Sequence, residues 1–132
     1  MLVFFVLACL GVIFCSKVTL EYFFSEGDKN ASQYVSYYDT SQKTPWKTLN
    51  IYRCEWAKAA VSTPSPPRPS FIPDPRLSRK LQANDSDYSS SGYSRGHLST
   101  AKFWAFNGEA YKNSFYLTNV APVFIFGYFF LN

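Results

Sequence analysis

The stretch Ser91-Gly92-Tyr93-Ser94-Arg95-Gly96-His97-Leu98, followed by Phe115-Tyr116-Leu117-Thr118-Asn119-Val120-Ala121-Pro122, holds the only histidine in the chain. A solitary histidine more often sits on a surface or in a core than in a site, because proton-transfer chemistry needs partners as well as a suitable pKa. Its neighbours raise the interest of this one. Gly96 allows close backbone approach, and Arg95 presents a planar fork, either to phosphate oxygens or to a carboxylate in a structural ion pair. Ahead of the stretch, Asn84-Asp85-Ser86-Asp87-Tyr88 and the serines after it carry the side chains that cap turns, which predicts a loop delivering the chain to Tyr93. Behind it, Ser99 to Lys102 leads to a short helix predicted near Asn107 to Ser114, with Asn107 as its cap. Phe115 to Val120 reads as a strand.

Further upstream, Gln33 to Tyr38 is rich in strand formers, Asp39 to Pro45 is turn-like, and Trp46 to Cys54 is expected to pair back as a hairpin. A helix capped by Thr44 with Pro45 at its first position competes, since Trp46, Leu49 and Arg53 fall at helical spacing. Six of the eight prolines lie between Thr63 and Pro75; lacking amide donors they continue neither ladder nor helix, so this is a loop. Arg68, Arg76, Arg79 and Lys80 place positive charge along it, facing either solvent or a phosphate backbone. Tyr93, Phe103, Trp104 and Phe106 are core side chains or, alternatively, stacking surfaces for bases.

At 132 residues the chain is sized for one small domain, and 13 basic against 9 acidic side chains leave +4, a lean toward anionic partners. With 47% hydrophobic and 17% charged residues it is neither a disordered chain nor a polytopic membrane protein. Leu2 to Ser16 is uncharged and nearly all apolar, which fits a signal peptide or an uncleaved membrane anchor over residues 1–16. Cys9 and Cys15 lie inside that run. Cleavage would leave Cys54 without a disulfide partner, and no Cys-x-x-Cys spacing points to zinc. The segment Val123 to Asn132 is aromatic and uncharged, a buried strand interrupted by Gly127 or a stretch of translated intron.

The Ser-Arg-Gly-His string and the aromatic-Leu-Thr-Asn-x-x-Pro run resemble the signature of the DNA/RNA non-specific endonucleases. That signature is [Asp/Ser]-Arg-Gly-His, then aromatic-Leu-[Ser/Thr]-Asn-x-x-Pro-Gln about twenty residues on. With Asn84 to Tyr88 ahead and Phe71-Ile72-Pro73-Asp74-Pro75 upstream, the spelling is most similar to the exonuclease-like relatives of endonuclease G. The resemblance implies an α+β fold, part of a ββα-metal (His-Me finger) nuclease domain of mixed antiparallel strands with a short helix, over residues 17–122. It implies His97 as the general base, Arg95 as a phosphate contact, and Asn119 beside the histidine shaping the site. It further implies Mg2+ or Mn2+ as cofactor, DNA and RNA as substrates, a homodimer when the domain is complete, and mitochondrial placement as the alternative to the secretory or membrane-anchored route suggested by residues 2–16.

The pattern breaks after Pro122. Val123 stands at the family's Gln, and Tyr128 stands nine positions after Asn119, where the resemblance expects the Asn that ligates the cation. Residues 123–132 therefore read as a tail foreign to the family. The expectation is a shortened and inactive nuclease chain, with a non-catalytic nucleic-acid-binding isoform as the alternative.

Overall fold

A computed structural model describes residues 16–27 and 29–124. Residues 1–15 of the expected leader (1–16) and Tyr128 lie outside the described residues. Among those described, no helix is long and apolar enough to cross a membrane.

Strands β1 (Lys17–Glu26), β2 (Lys29–Asp39) and β3 (Thr44–Asn50) form an antiparallel sheet in the order β1-β2-β3. Alternation in β1 sends Tyr22 and Phe24 inward and Thr19, Glu21 and Phe23 outward. The turn after β1 uses Gly27 at φ 61, a left-handed conformation that suits a residue without a Cβ. The β2–β3 turn is built by Asp39, whose Oδ1 accepts from the Ser41 amide and hydroxyl at 2.8 and 2.6 Å and from the Gln42 amide at 3.1 Å. The hairpin thus pairs as expected, and the competing helix at Thr44 does not form.

Its second strand is shorter than the sequence suggests. β3 ends at Asn50, and Cys54 opens helix α1 (Cys54–Ser62) instead of closing a strand. Ala57, Ala59 and Ala60 favour a helix, and Trp56 and Ala60, four apart, bury one face. Trp56 packs on Phe24 (5.1 Å) and Trp104 (6.0 Å), and its indole N–H donates to Glu26 at 2.7 Å. Phe24, Ala31, Trp56, Trp104 and Ala110 form the main apolar core. Trp104 is therefore a core residue, with Phe103 and Phe106 packed against it; Tyr93 is exposed.

The proline-rich loop follows Thr63 without helix or strand, yet it is anchored. Ile72 bridges Tyr116 through Ile72 N–H to Phe115 O (3.1 Å) and Leu117 N–H to Ile72 O (2.9 Å). Asp74, 1% exposed, accepts from the Tyr22 hydroxyl at 2.6 Å, the Thr118 hydroxyl at 3.2 Å and the Arg76 guanidinium at 2.7 and 3.0 Å. Gln82 closes the knot, accepting from the Asp74 amide (2.8 Å) and donating to the Asp74 and Leu77 carbonyls (2.9 and 2.6 Å). Although burial opposes its charge, the Arg76 and Tyr22 hydrogen bonds hold the Asp74 carboxyl below its ordinary pKa.

The Asn84 loop contains a 3₁₀ turn, Asp85–Tyr88, closed by a capping box between Asn84 and Asp87. Strand β4 (Tyr93–His97) then pairs antiparallel with β5 (Val120–Phe124). Between them lie a 3₁₀ turn at Ala101–Trp104 and helix α2 (Gly108–Asn113), whose cap is Asn107, accepting from the Glu109 and Ala110 amides at 3.0 Å each. Phe115 to Val120 is not a strand. Tyr116 makes one bridge, Leu117–Asn119 is a 3₁₀ turn, and β5 begins at Val120, because Ser36, Asp74 and Ser99 draw on polar groups of Thr118 and Asn119. β5 runs through Val123 and Phe124, which pair with Ser94 and Tyr93, so the strand crosses the expected boundary at 122/123.

Candidate active site

His97 ends β4, opposite Val120, and the two residues after it fix its position. Leu98 N–H donates to Asn119 O at 3.0 Å, and the Ser99 amide donates to Asn119 Oδ1 at 2.7 Å. Asn119 Nδ2 in turn donates to the Ser99 and Ser114 carbonyls at 2.9 and 2.8 Å. Ser99 Oγ accepts from the Trp104 indole at 2.9 Å, so the histidine-bearing strand end is tied to the core. Asn119 is fully buried and its amide is consumed in this clamp. It positions the histidine backbone and offers nothing to a ligand.

The imidazole lies between two rings, Phe71 at 5.0 Å and Phe115 at 4.8 Å. Its Nε2 is buried and has no hydrogen-bond partner among the described residues. Burial, and then the nearby Arg68 guanidinium, push the His97 pKa down to about 4. An unperturbed imidazole is only partly free base at neutral pH; in this setting it is the free base throughout the physiological range.

His97 faces a cavity of about 310 Å³ shared with Arg68, Lys102, Ser65, Thr100 and Phe115. Arg68 comes from the proline-rich loop and stands over the Phe71 and Phe115 rings at 5.5 and 5.7 Å. Among the described residues, no acidic side chain lines this cavity. The cavity therefore suits an anion with a proton donor beside it. Arg68, which the sequence leaves facing either solvent or a phosphate backbone, lines the cavity, and Lys102 joins it without having been singled out; the signal for Arg68 is its three-residue spacing from Phe71, which becomes meaningful only once the loop is known to be anchored.

Of the two partners expected for Arg95, a carboxylate is the one beside it in the structure. Alternation puts it on the same face of β4 as His97, and its guanidinium carbon is 5.5 Å from the Phe71 ring centre and 5.7 Å from that of Tyr88. Its Nε lies 2.6 Å from Asp85 Oδ1 in a partly exposed ion pair without hydrogen-bond geometry, and its Nη2 donates to the Asp85 carbonyl at 3.4 Å, so the guanidinium is held against Asp85. Arg95 does not line the His97 cavity. Gly96 is required by close packing, since a Cβ there would collide with Cγ2 of Val123, the residue standing where the resemblance expects Gln.

The described residues do not fit the divalent cation that the resemblance implies. They contain no group of three or more His, Cys, Asp or Glu able to hold a metal. The Asn119 amide is already satisfied on both atoms, and the charged groups lining the His97 cavity are cations.

A family model described as DNA/RNA non-specific endonuclease matches residues 16–123. "Nuclease EXOG, mitochondrial" of Xenopus laevis is 32% identical over 106 residues, covering 77% of this chain and 28% of that protein. "Nuclease 1, mitochondrial" of Schizosaccharomyces pombe is 42% identical over 52 residues, 39% of this chain and 16% of that protein. A chain in the crystal structure of an EndoG/EndoGI complex, a study of EndoG inhibition, superposes with a TM-score of 0.60 at 25% identity, covering 78% of this chain and 40% of that one. The chain thus spans about a quarter of the length of the Xenopus relative. The fold is α+β, of the ββα-metal nuclease type, with β4 and β5 as the described strand pair.

Proposed function

Because this chain belongs to the DNA/RNA non-specific endonuclease family, we propose that it carries the base and the phosphate-gripping half of a nuclease that hydrolyses phosphodiester bonds. The observation that carries the reading is the unpartnered, buried Nε2 of a neutral His97 beside Arg68. A water held against a phosphate in this cavity gives its proton to the His97 imidazole as its oxygen attacks phosphorus, and the bond to the leaving oxygen breaks. A free imidazole of low proton affinity is a poor base, but an entering phosphate offsets the Arg68 charge and raises that affinity when it is needed. Arg68 and Lys102 grip backbone oxygens, which carry no sequence information, so DNA and RNA are both accepted without base preference.

Arg95 enters this reading as a second phosphate contact only when it leaves Asp85, and Asn119 as a positioning residue. The Mg2+ dependence implied by the family finds no ligand set among the described residues; chelator sensitivity of cleavage tests it directly. The names of the relatives place those nucleases in mitochondria, and we extend that placement to this chain, to be checked by an organelle import assay.

Tyr128, standing where the resemblance expects the Asn that ligates the cation, favours a second reading, a chain that binds nucleic acid without cutting it. Plasmid nicking and RNA cleavage by the chain, with and without magnesium, separate the two. Cleavage abolished in His97→Ala supports the nuclease; binding without cleavage supports the second reading; neither binding nor cleavage sinks both.

A further inference from the structure

A second cavity, of about 460 Å³, opens beside the first and shares Thr100 and Lys102 with it. Its remaining wall is apolar and aromatic: Tyr52, Phe103, and Ala57, Ala60 and Val61 of α1. Tyr52 packs on Phe103 at 4.1 Å and lies nearly parallel to Trp104 at 5.9 Å, yet keeps 52% of its surface exposed. Val61, at the rim, is 87% exposed. Among the described residues, no acidic side chain lines either cavity. Lys102, on their common wall, donates to Thr63 O at 2.9 Å, which holds its ammonium between them.

We propose that this pocket is a base-binding subsite, taking one unstacked nucleobase of the strand whose phosphate occupies the His97 cavity. The inference rests on the nuclease reading above and deepens it by giving the bound strand a second contact, made to a base. Continuity with the phosphate cavity, the cation on the shared wall and the aromatic lining all match a nucleotide, whose charge and ring face lie side by side. A base in a paired, stacked duplex is not free to leave its neighbours for such a pocket. Recognition is by ring face, so it is tolerant of sequence.

The test is binding of the full chain, by fluorescence anisotropy, to a labelled ten-nucleotide oligothymidylate and to an abasic oligomer with the same number of phosphates. The normal chain is expected to bind the base-bearing strand about tenfold more tightly than the abasic one, the range of one aromatic–base stack. Tyr52→Ala should remove most of that difference while leaving the abasic affinity unchanged, and Tyr52→Phe should restore it. Val61→Glu, at an exposed rim where folding is not at risk, should weaken the base-bearing strand more than the abasic one. Equal affinity for the two oligomers, or a Tyr52→Ala loss that is the same for both, overturns the subsite. Arg68→Ala separates the two readings. If it weakens the abasic oligomer while the bases add nothing, the subsite alone fails; if no oligomer binds, the nuclease reading fails and the subsite with it.

Discussion

Asp74 and His97 are both ionisable side chains withdrawn from water, and the fold treats them in opposite ways. Around Asp74 the polar atoms are paired: two hydroxyls, one guanidinium and one amide side chain converge from β1, the loop and the turn before β5. Around His97 the neighbours are Phe71, Phe115 and a like-signed Arg68, and Nε2 is left without a partner among the described residues. A buried polar group without a hydrogen bond costs stability. The first arrangement holds the proline-rich loop down, and through that loop it sets Arg68 beside the histidine. The second leaves the imidazole beside the Arg68 cavity with its Nε2 unpaired among the described residues. The second depends on the first, because a free loop would carry Arg68 and Phe71 out of the site.

The comparison is broken most severely at Asp74. Asp74→Ala leaves the buried Tyr22 and Thr118 hydroxyls and the half-exposed Arg76 without their common acceptor, and a buried donor left unsatisfied costs about 1–3 kcal/mol. Urea unfolding should show that loss, with Arg68-dependent oligonucleotide binding weakened alongside it. A variant as stable as the parent would mean the loop is not anchored there.

Acid should weaken the two sites in succession, His97 first and Asp74 after it, each by gaining a proton that charges the imidazole and neutralises the carboxylate. The His97 pKa is lowered on folding from 6.5 to about 4, so the unfolded chain binds the extra proton and stability falls as pH drops through that window. Discounted for partial exposure, the loss is on the order of 2 kcal/mol. Asp74, also lowered, adds its own loss below its unfolded value of 3.8. Thermal midpoints measured from pH 7 to 4 should decline steadily, and the decline above pH 4 should vanish in a His97→Leu variant.

The same variant carries a third expectation. Replacing the imidazole by an apolar side chain removes an unpaired buried nitrogen from a ring-lined position, so at pH 7 His97→Leu should hold or gain stability, by up to about 1 kcal/mol. The sign contrasts with Asp74→Ala, and a large loss of stability would show that the ring is there for packing.

Much of this site is legible in the sequence alone. The Ser-Arg-Gly-His string, the Asn107 cap and the Asp39 turn are local chemistry, fixed by residues within a few positions of one another. The features that escape such reading are set by distant partners. β3 stops at Asn50 because Trp56 finds its place only against Phe24 and Trp104, far along the chain in both directions. Phe115 to Asn119 looks like a strand by composition, but its polar groups are claimed by Ser36, Asp74 and Ser99. Arg68 looks like one of four loop cations until Ile72 and Asp74 pin its loop beside His97.

Arg95 gives the smallest and most discriminating test. Its pair with Asp85 is partly exposed, so Asp85→Asn should change stability by less than about 1 kcal/mol. Its consequence for binding is larger in meaning than in size. With the carboxylate neutralised, Arg95 remains over Phe71 and Tyr88 but is free to meet a phosphate near His97. Affinity for an oligonucleotide should rise a few-fold, and the slope of log affinity against log salt should steepen by about one counterion. Arg95→Ala in that background should reverse both changes. If neither moves, Arg95 is a structural residue tying the Asn84 loop to β4, and phosphate is gripped from the Arg68 side alone.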